Sequence, residues 1–467
     1  MTDFILNNKE TSVNLRDGKA TLKTIRETLH LRGSKEACGE GDCGACMVLL
    51  GESLGETLLQ YRSVNSCLLP TGELSGKHIV TIEGLNQEKL SLIQEIFVKE
   101  FASQCGFCTP GFITAFTAYL LNTHDLGKDE AIQAVSGNMC RCTGYSSIKR
   151  ALFAILKKLK VADFKKTKPG SSARINFLVK ENILPTYFTD IHGRLKKIAQ
   201  KTDKKTGKII VGGGTDMVVQ KNGTLPDEDL YFISQRKDLR EIYTGDDECF
   251  IGGAVTFEEL RNSKIMAKIF PEGKKVFQYI ASLPIRNRAT VAGNIINASP
   301  IGDMTVFFLA IDAILSLSDG TNKREVPLRN FFKGYKDIDK KDTEILEWIH
   351  FPIPEKNTHL HFEKVSKRKY SDIASVNTAI RIQTKKDVIT EIGISAGGVS
   401  AIPLYLSQTC EFLKGKKIEM SIIEEAQKIA DSEIAPISDI RGTEKYKRLL
   451  LRQLILAHFL ELFPKKI

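Results

Sequence analysis

Eight of the chain's ten cysteines fall between residues 38 and 142, so the chemistry of this sequence starts with thiols. The first group reads Cys38-Gly-Glu-Gly-Asp-Cys43-Gly-Ala-Cys46, with a fourth cysteine at Cys67. C-x4-C-x2-C with a later cysteine is the plant-type [2Fe–2S] spacing. A loop that wraps a compact anionic cluster must aim N–H groups at sulfur, and Gly39, Gly41 and Gly44 supply the backbone freedom for that. Zinc knuckles use paired C-x2-C hooks, and the four-residue gap here argues against one.

The second group pairs Cys105-Gly-Phe-Cys108 with Cys140-Arg-Cys142. Four cysteines in C-x2-C and C-x-C pairs could hold zinc or another [2Fe–2S] cluster, and spacing alone leaves both open.

Elements must position these loops. Asp3–Asn7 and Ser12–Leu15 read as strands around a turn at Asn7-Asn8-Lys9. Thr21 to Leu31 reads as a helix with Leu22, Ile25 and Leu29 on its buried side. Met47–Leu50 reads as a buried strand leaving the loop, which together is a β-grasp ferredoxin pattern. Around the second group, Pro110 suits a first helical turn with an apolar helix to Leu121, and Ser146 suits the cap of a helix through Leu159. Helices near Leu90–Phe101 and Asp129–Val135 complete a small bundle. Helix N-termini would favour an anionic cluster between them.

Further along, an apolar strand runs into Gly212-Gly213-Gly214-Thr215-Asp216-Met217. Such a turn can bring backbone N–H groups to a pyrophosphate, and equally it can be a plain strand-to-helix turn. Small and polar residues recur from Thr290-Val291-Ala292-Gly293-Asn294 to Asp303, where a core strand would be apolar throughout. Together these loops could line a nucleotide groove.

The words CGEGDCGAC, QCGFCTPG and NMCRCTGY closely resemble the iron–sulfur domains of the xanthine dehydrogenase family of molybdenum hydroxylases, over residues 1 to about 160. The resemblance implies two [2Fe–2S] clusters, one on Cys38, Cys43, Cys46 and Cys67, the other on Cys105, Cys108, Cys140 and Cys142. It implies that Gln104 faces a molybdopterin cofactor; otherwise that residue is a helix cap. The glycine turn and the 290–303 segment resemble the family's FAD-binding domain. They imply FAD contacts at Ile210, Val211, Gly212, Gly213, Gly214, Thr215, Asp216 and Met217, and at Thr290, Val291, Ala292, Gly293, Asn294 and Asp303. Ile280, Leu346 and Lys364 are looser matches to flavin contacts. The chain departs from the family pattern in its three consecutive glycines and in Val-Ala-Gly where adjacent glycines are commoner. Lys369 to Val376 resembles the start of the family's flavoprotein C-terminal domain; Asp372 in it reads as a turn residue.

No molybdenum-binding domain is visible in the sequence, so the resemblance implies a molybdopterin-binding large subunit as partner, in a dimer of heterodimers. The chain is then expected to be the iron–sulfur/FAD subunit of a xanthine dehydrogenase. Electrons would pass from molybdenum through the second and first clusters to FAD and then NAD, with no hydroxylating residue in this chain. Another hydroxylase, acting on an aldehyde or N-heterocycle, and a free-standing electron carrier are the rivals.

The expected fold is multidomain α+β. It comprises a ferredoxin domain (1–84), a helical [2Fe–2S] domain (85–160), a linker (161–174), an FAD-binding domain (175–353) and a C-terminal α+β flavoprotein domain (354–467). In the last, Ser375–Ile382 and Ile389–Ser395 read as strands, and Ile422–Ala430 and Tyr446–Phe463 as helices. The net charge of +11 comes from scattered lysines with clumps at 157–160, 165–168 and 204–208, not from a basic stripe, so nucleic-acid binding is not expected. No apolar stretch reaches membrane-spanning length and no secretory signal is visible, so a cytoplasmic location is expected. Cys249 and Cys410 lack neighbouring cysteines and read as isolated thiols.

Overall fold

The computed structural model describes residues 1–198, 209–221 and 223–467. The lysine clump at 204–208 lies outside them. The fold is multidomain α+β. Its contacts form two compact units. The first holds Met1–Ile209, Gly214–Phe232 and Ser282–Arg288; the second holds Ile210–Gly213, Ile233–Ala281 and Ala289–Ile467.

The first unit is built on a five-stranded sheet in the order Lys9–Val13, Thr2–Leu6, His78–Val80, Met47–Leu54, Leu58–Asn65. Thr2–Leu6 runs parallel to His78–Val80 and the other pairings are antiparallel. The hairpin turns at Asn7, which takes φ 53°, so the second strand begins at Lys9 rather than Ser12. The expected helix from Thr21 is shorter and wider. One turn, Thr21–Lys23, passes into a π-helical turn, Thr24–Thr28, and His30 at φ 55° ends the run. Thr24 is fully buried with its hydroxyl 3.0 Å from that of Thr71, which favours the local widening over a regular surface helix.

Four helices, Leu92–Lys99, Thr109–Asn122, Lys128–Ala134 and Ser146–Lys158, form the bundle beside this sheet. Thr109–Asn122 is apolar on all sides because it is buried on all sides, and its core is shared with Met47, Leu49 and Tyr61 of the sheet. Pro110 occupies its first turn as expected. Ser146 does not cap its helix; Tyr145 precedes it in a left-handed conformation at φ 67° and leaves Ser146 as the first helical residue.

The stretch expected to be a linker is folded. Val161–Lys165 and Ser172–Lys180 are helical, and Phe164 and Arg174 are fully buried. The Arg174 guanidinium stacks 3.7 Å from the Phe164 ring. It donates to the carbonyls of Leu120, Thr123 and Thr167 at 2.8 Å each, to Phe164 O at 3.3 Å and to Thr167 Oγ1 at 2.7 Å. A buried cation needs such a full set of acceptors. Composition marked this stretch as polar and flexible because it cannot show where one arginine will point.

In the second unit an antiparallel five-stranded sheet runs Lys323–Pro327, Ile314–Ser318, Ile345–Pro352, Glu248–Gly252, Ile242–Gly245. A four-stranded antiparallel sheet follows: Thr358–Val365, Val376–Lys385, Val388–Gly397, Leu404–Tyr405. Helices Ser407–Leu413, Met420–Glu433 and Glu444–Leu462 cover this sheet. The helix Asp303–Ala310, buried from Met304 onward, packs on its two central strands, and Phe308 reaches Phe351 of the other sheet at 6.1 Å. Among the described residues no helix is long and apolar enough to cross a membrane.

Candidate cluster and flavin sites

The eight cysteines lie in the first unit, and their sulfurs come in pairs. Cys46 Sγ is 3.4 Å from Cys67 Sγ, and Cys105 Sγ is 3.5 Å from Cys142 Sγ. Cys38 hydrogen-bonds Cys43, and Cys108 hydrogen-bonds Cys140. Two thiolates on one tetrahedral metal stand about 3.8 Å apart, given metal–sulfur bonds of about 2.3 Å. Each pair therefore suits one iron, and two pairs suit one two-iron cluster.

Within pairs the thiols share protons. Cys38 is held down at about 5 by its hydrogen bond to Cys43, whose own thiol that bond pushes up. Cys46 is lowered and Cys67 raised in the same way, with burial adding to the rise. Cys105 is lowered by the Phe107 N–H and then by Cys142. Burial pushes Cys108 up to about 12. Metal ligation takes both thiols of a pair as thiolates and releases these protons.

The loops are locked from outside. Asn65 Nδ2 donates to the Gly41 carbonyl at 2.7 Å and Ser66 Oγ to the Cys46 carbonyl at 2.6 Å. Thr143 Oγ1 donates to Cys140 Sγ at 3.1 Å, and the left-handed Tyr145 turns its hydroxyl to accept from the Cys140 N–H at 3.0 Å. Gly44 is sterically required: a Cβ there would lie 2.6 Å from the Gly137 carbonyl oxygen, at φ 69°. The two loops meet directly, the Met139 N–H donating to the Cys43 carbonyl at 2.9 Å. The first set is sheltered, with Cys46 and Cys67 buried, while Cys105 and Cys142 are exposed. Exposed Phe107, Met139 and Tyr145 stand around the second set. The structure thus brings the cysteines of each expected set together in pairs. Asn65 and Tyr145, and Asn138 whose Nδ2 donates to the Gly44 carbonyl at 3.3 Å, carry no spacing signal as single polar residues beside a motif.

The flavin-loop residues divide between the units, Ile210–Gly213 in the second and Gly214–Met217 in the first. In the first, Gly214 adopts φ 76° and its carbonyl accepts from Val218 N at 3.0 Å, opening the short helix Met217–Gln220. In the second, a Cβ at Gly212 would lie 2.6 Å from Thr290 Oγ1. Thr290 caps the helix Val291–Ile296 by accepting from the Gly293 N–H at 3.0 Å, and Val291 and Ala292 are buried. Asn294 Oδ1 accepts from the N–H and hydroxyl of Thr305, both at 3.1 Å. Gly212 thus lets the turn approach the threonine-capped helix start closely, with no side chain between them.

Asp303 is already engaged. Its carboxylate accepts from Lys364 Nζ at 2.7 Å and from Asn377 Nδ2 at 2.5 Å, and Lys364 also reaches the Tyr279 carbonyl at 3.2 Å. Lys364 and Asp303 therefore come together beside Ile280, which is buried, as is Leu346 on its strand. Asn377 lies in the strand expected over Ser375–Ile382, where a single polar residue carries no spacing signal that would single it out. Asp372 accepts from the Arg368 N–H at 2.8 Å, a turn role as expected.

Four known families match in succession. Residues 4–70 match a 2Fe-2S iron-sulfur cluster binding domain and 81–153 a [2Fe-2S] binding domain. Residues 190–354 match the FAD binding domain in molybdopterin dehydrogenase, and 361–462 the CO dehydrogenase flavoprotein C-terminal domain. Among curated relatives, xanthine dehydrogenase of Oryza sativa subsp. japonica is 28% identical, covering 88% of this chain and 36% of that protein. Xanthine dehydrogenase of Drosophila pseudoobscura pseudoobscura is 27% identical over 99% of this chain and 39% of its own length. Aldehyde oxidase 2 of Macaca fascicularis is 25% identical with the same coverage. The chain thus spans less than two-fifths of the length of these relatives. Of solved structures, carbon monoxide dehydrogenase from Hydrogenophaga pseudoflava aligns with a TM-score of 0.50 at 24% identity, over 53% of this chain and 86% of that one. Quinoline 2-oxidoreductase from Pseudomonas putida 86 gives 0.50 at 24%, over 54% and 88%. These structural likenesses speak to the fold. The four domain families following one another along the sequence, and curated relatives spanning nearly all of it, support an iron–sulfur/FAD chain of the molybdenum hydroxylase kind.

Proposed function

We propose that this chain is the electron-transfer subunit of a xanthine dehydrogenase, carrying electrons from a molybdopterin-containing partner to NAD during hypoxanthine and xanthine oxidation. In this reading Cys38, Cys43, Cys46 and Cys67 ligate one [2Fe–2S] cluster and Cys105, Cys108, Cys140 and Cys142 the other. Gly212, Gly213 and the 290–294 helix start hold FAD. One-electron clusters beside a flavin, which exchanges electrons singly or in pairs, supply the link between two two-electron reactions. The supporting observation is the arrangement of eight sulfurs as four pairs in two sets, joined by the Cys43–Met139 hydrogen bond.

The chain's own residues orient and insulate. Asn65, Ser66, Thr143 and Tyr145 fix the cysteine loops. Burial of Cys46 and Cys67 keeps solvent from the first site, whereas exposed Cys105 and Cys142 and their apolar surroundings suit the face that a large subunit covers. A dimer of heterodimers is the proposed assembly, with domain borders near residues 84 and 353.

Native purification tests the reading. About four irons per chain, one FAD, a large molybdenum-containing partner and NADH formation with hypoxanthine are expected. The aldehyde oxidase relatives favour one alternative, a hydroxylase of another substrate. A molybdenum partner without purine activity would select it. No partner at all would overturn the subunit assignment.

A further inference from the structure

The short helix Leu283–Arg286 carries Pro284 in its first turn, and the whole segment Ser282–Arg288 packs in the first unit. Two polar side chains pin the segment. Asn287 Nδ2 donates to the Ser63 carbonyl at 2.9 Å, and Arg288 Nη1 lies 3.2 Å from Glu73 Oε2. Glu73 is fully buried and also paired with Lys77, so breaking either contact would strand a buried charge. With its end fixed, the segment sets apolar atoms against both cysteine loops. A Cβ at Gly41 would lie 2.9 Å from Ile285 Cδ1, and one at Gly137 would lie 3.1 Å from Pro284. The Gly41 N–H in turn bonds the Cys67 sulfur.

We propose that Ile285 is a positioning residue for the first cluster: it keeps water from the Gly41–Cys67 side and thereby holds that cluster's reduction potential down. The proposal rests on the reading of Cys38, Cys43, Cys46 and Cys67 as ligands. Reduction adds one negative charge, and apolar surroundings disfavour the more highly charged form. Trimming the side chain admits water, stabilises the reduced form and raises the potential. Pro284, which meets Gly137 beside the other loop, is untouched by that change, so the second cluster stays where it is.

The test is a potentiometric titration of the purified chain with its clusters, followed by electron paramagnetic resonance, which reads the two clusters separately. Ile285→Ala is expected to shift the first cluster's reduction equilibrium about tenfold upward, about 59 mV for one electron, with the second cluster unmoved. Ile285→Val is the milder variant, expected to shift it in the same direction by less, and it serves if the alanine variant loses the cluster. An intact first-cluster signal at the wild-type potential in these variants overturns the proposal, and so does an equal shift of both clusters. A wild-type chain with no first-cluster signal overturns the ligand reading itself.

Discussion

The backbone N–H of Met139 donates to the carbonyl of Cys43 across 2.9 Å, so the residue before one cysteine pair is tied to a residue within the other. Gly44 makes that approach possible. Both Gly39 and Gly44 have positive φ, yet a Cβ at Gly39 meets nothing within 4 Å, whereas one at Gly44 meets Asn138 and Gly137. Gly39→Ala is expected to cost only the left-handed backbone penalty, about 1–2 kcal/mol. Gly44→Ala should cost more and separate the loops. Denaturation midpoints together with iron content would check the contrast, and equal losses would speak against the steric account.

The two cysteine sets differ in exposure, and their variants should differ accordingly. Cys105→Ser, at an exposed position, is expected to lower iron to about two per chain with little change in folding stability. Cys46→Ser lies in the buried core, so it should lose the same iron and destabilise the chain as well, by about 1–3 kcal/mol for an added buried polar group. Metal analysis beside thermal melting separates the two effects.

His78 gives the first unit an acid sensitivity. Burial lowers its pKa to about 3, and the ring stays neutral between the Tyr61 hydroxyl at 2.7 Å and the Asn7 carbonyl at 2.8 Å. The unfolded chain, with a histidine near 6.5, binds more protons between those two values. Its contribution is therefore complete above about pH 6.5 and declines as pH falls towards 3, by up to about 1.4 kcal/mol per pH unit. Urea unfolding from pH 7 to 4 should show this slope, and His78→Phe should flatten it.

The Lys364–Asp303 pair is buried, with both side chains under 15% exposed. Lys364→Met is expected to cost about 3–5 kcal/mol by leaving the carboxylate uncompensated, and to lower FAD content through the helix that begins at Asp303. Asp303→Asn combined with Lys364→Met should recover part of the stability. Flavin release by fluorescence and thermal melting would show whether stability and flavin content fall together; a lysine that contacts only flavin would leave the melting temperature unchanged.

The fold class, the domain families and the approach of four cysteines in each set were legible because spacing in sequence fixes what a loop can gather. The sulfur pairing was not, because it depends on where Cys67 and Cys142 return in space. Ser146 read as a cap by composition, whereas the positive φ of Tyr145 took the position before it. The pairing of Lys364 with Asp303 was not legible either, because sixty-one residues separate them, a distance no local pattern reveals. The helix from Thr21 failed as a regular element because Thr24 sits in the core and bonds Thr71.

Arg174 has a practical consequence for dividing the molecule. Composition invites a cut near residue 160, between the helical bundle and the flavin half. A fragment ending there would lose the guanidinium that closes the carbonyls of Leu120 and Thr123 at the end of the central helix. It would also lose Ile175, Leu178, Phe188, Ile191 and Leu195 from the core they share with that helix. An iron–sulfur fragment intended to fold alone should therefore run past Leu195, and the shorter piece is expected to be recovered only as aggregate.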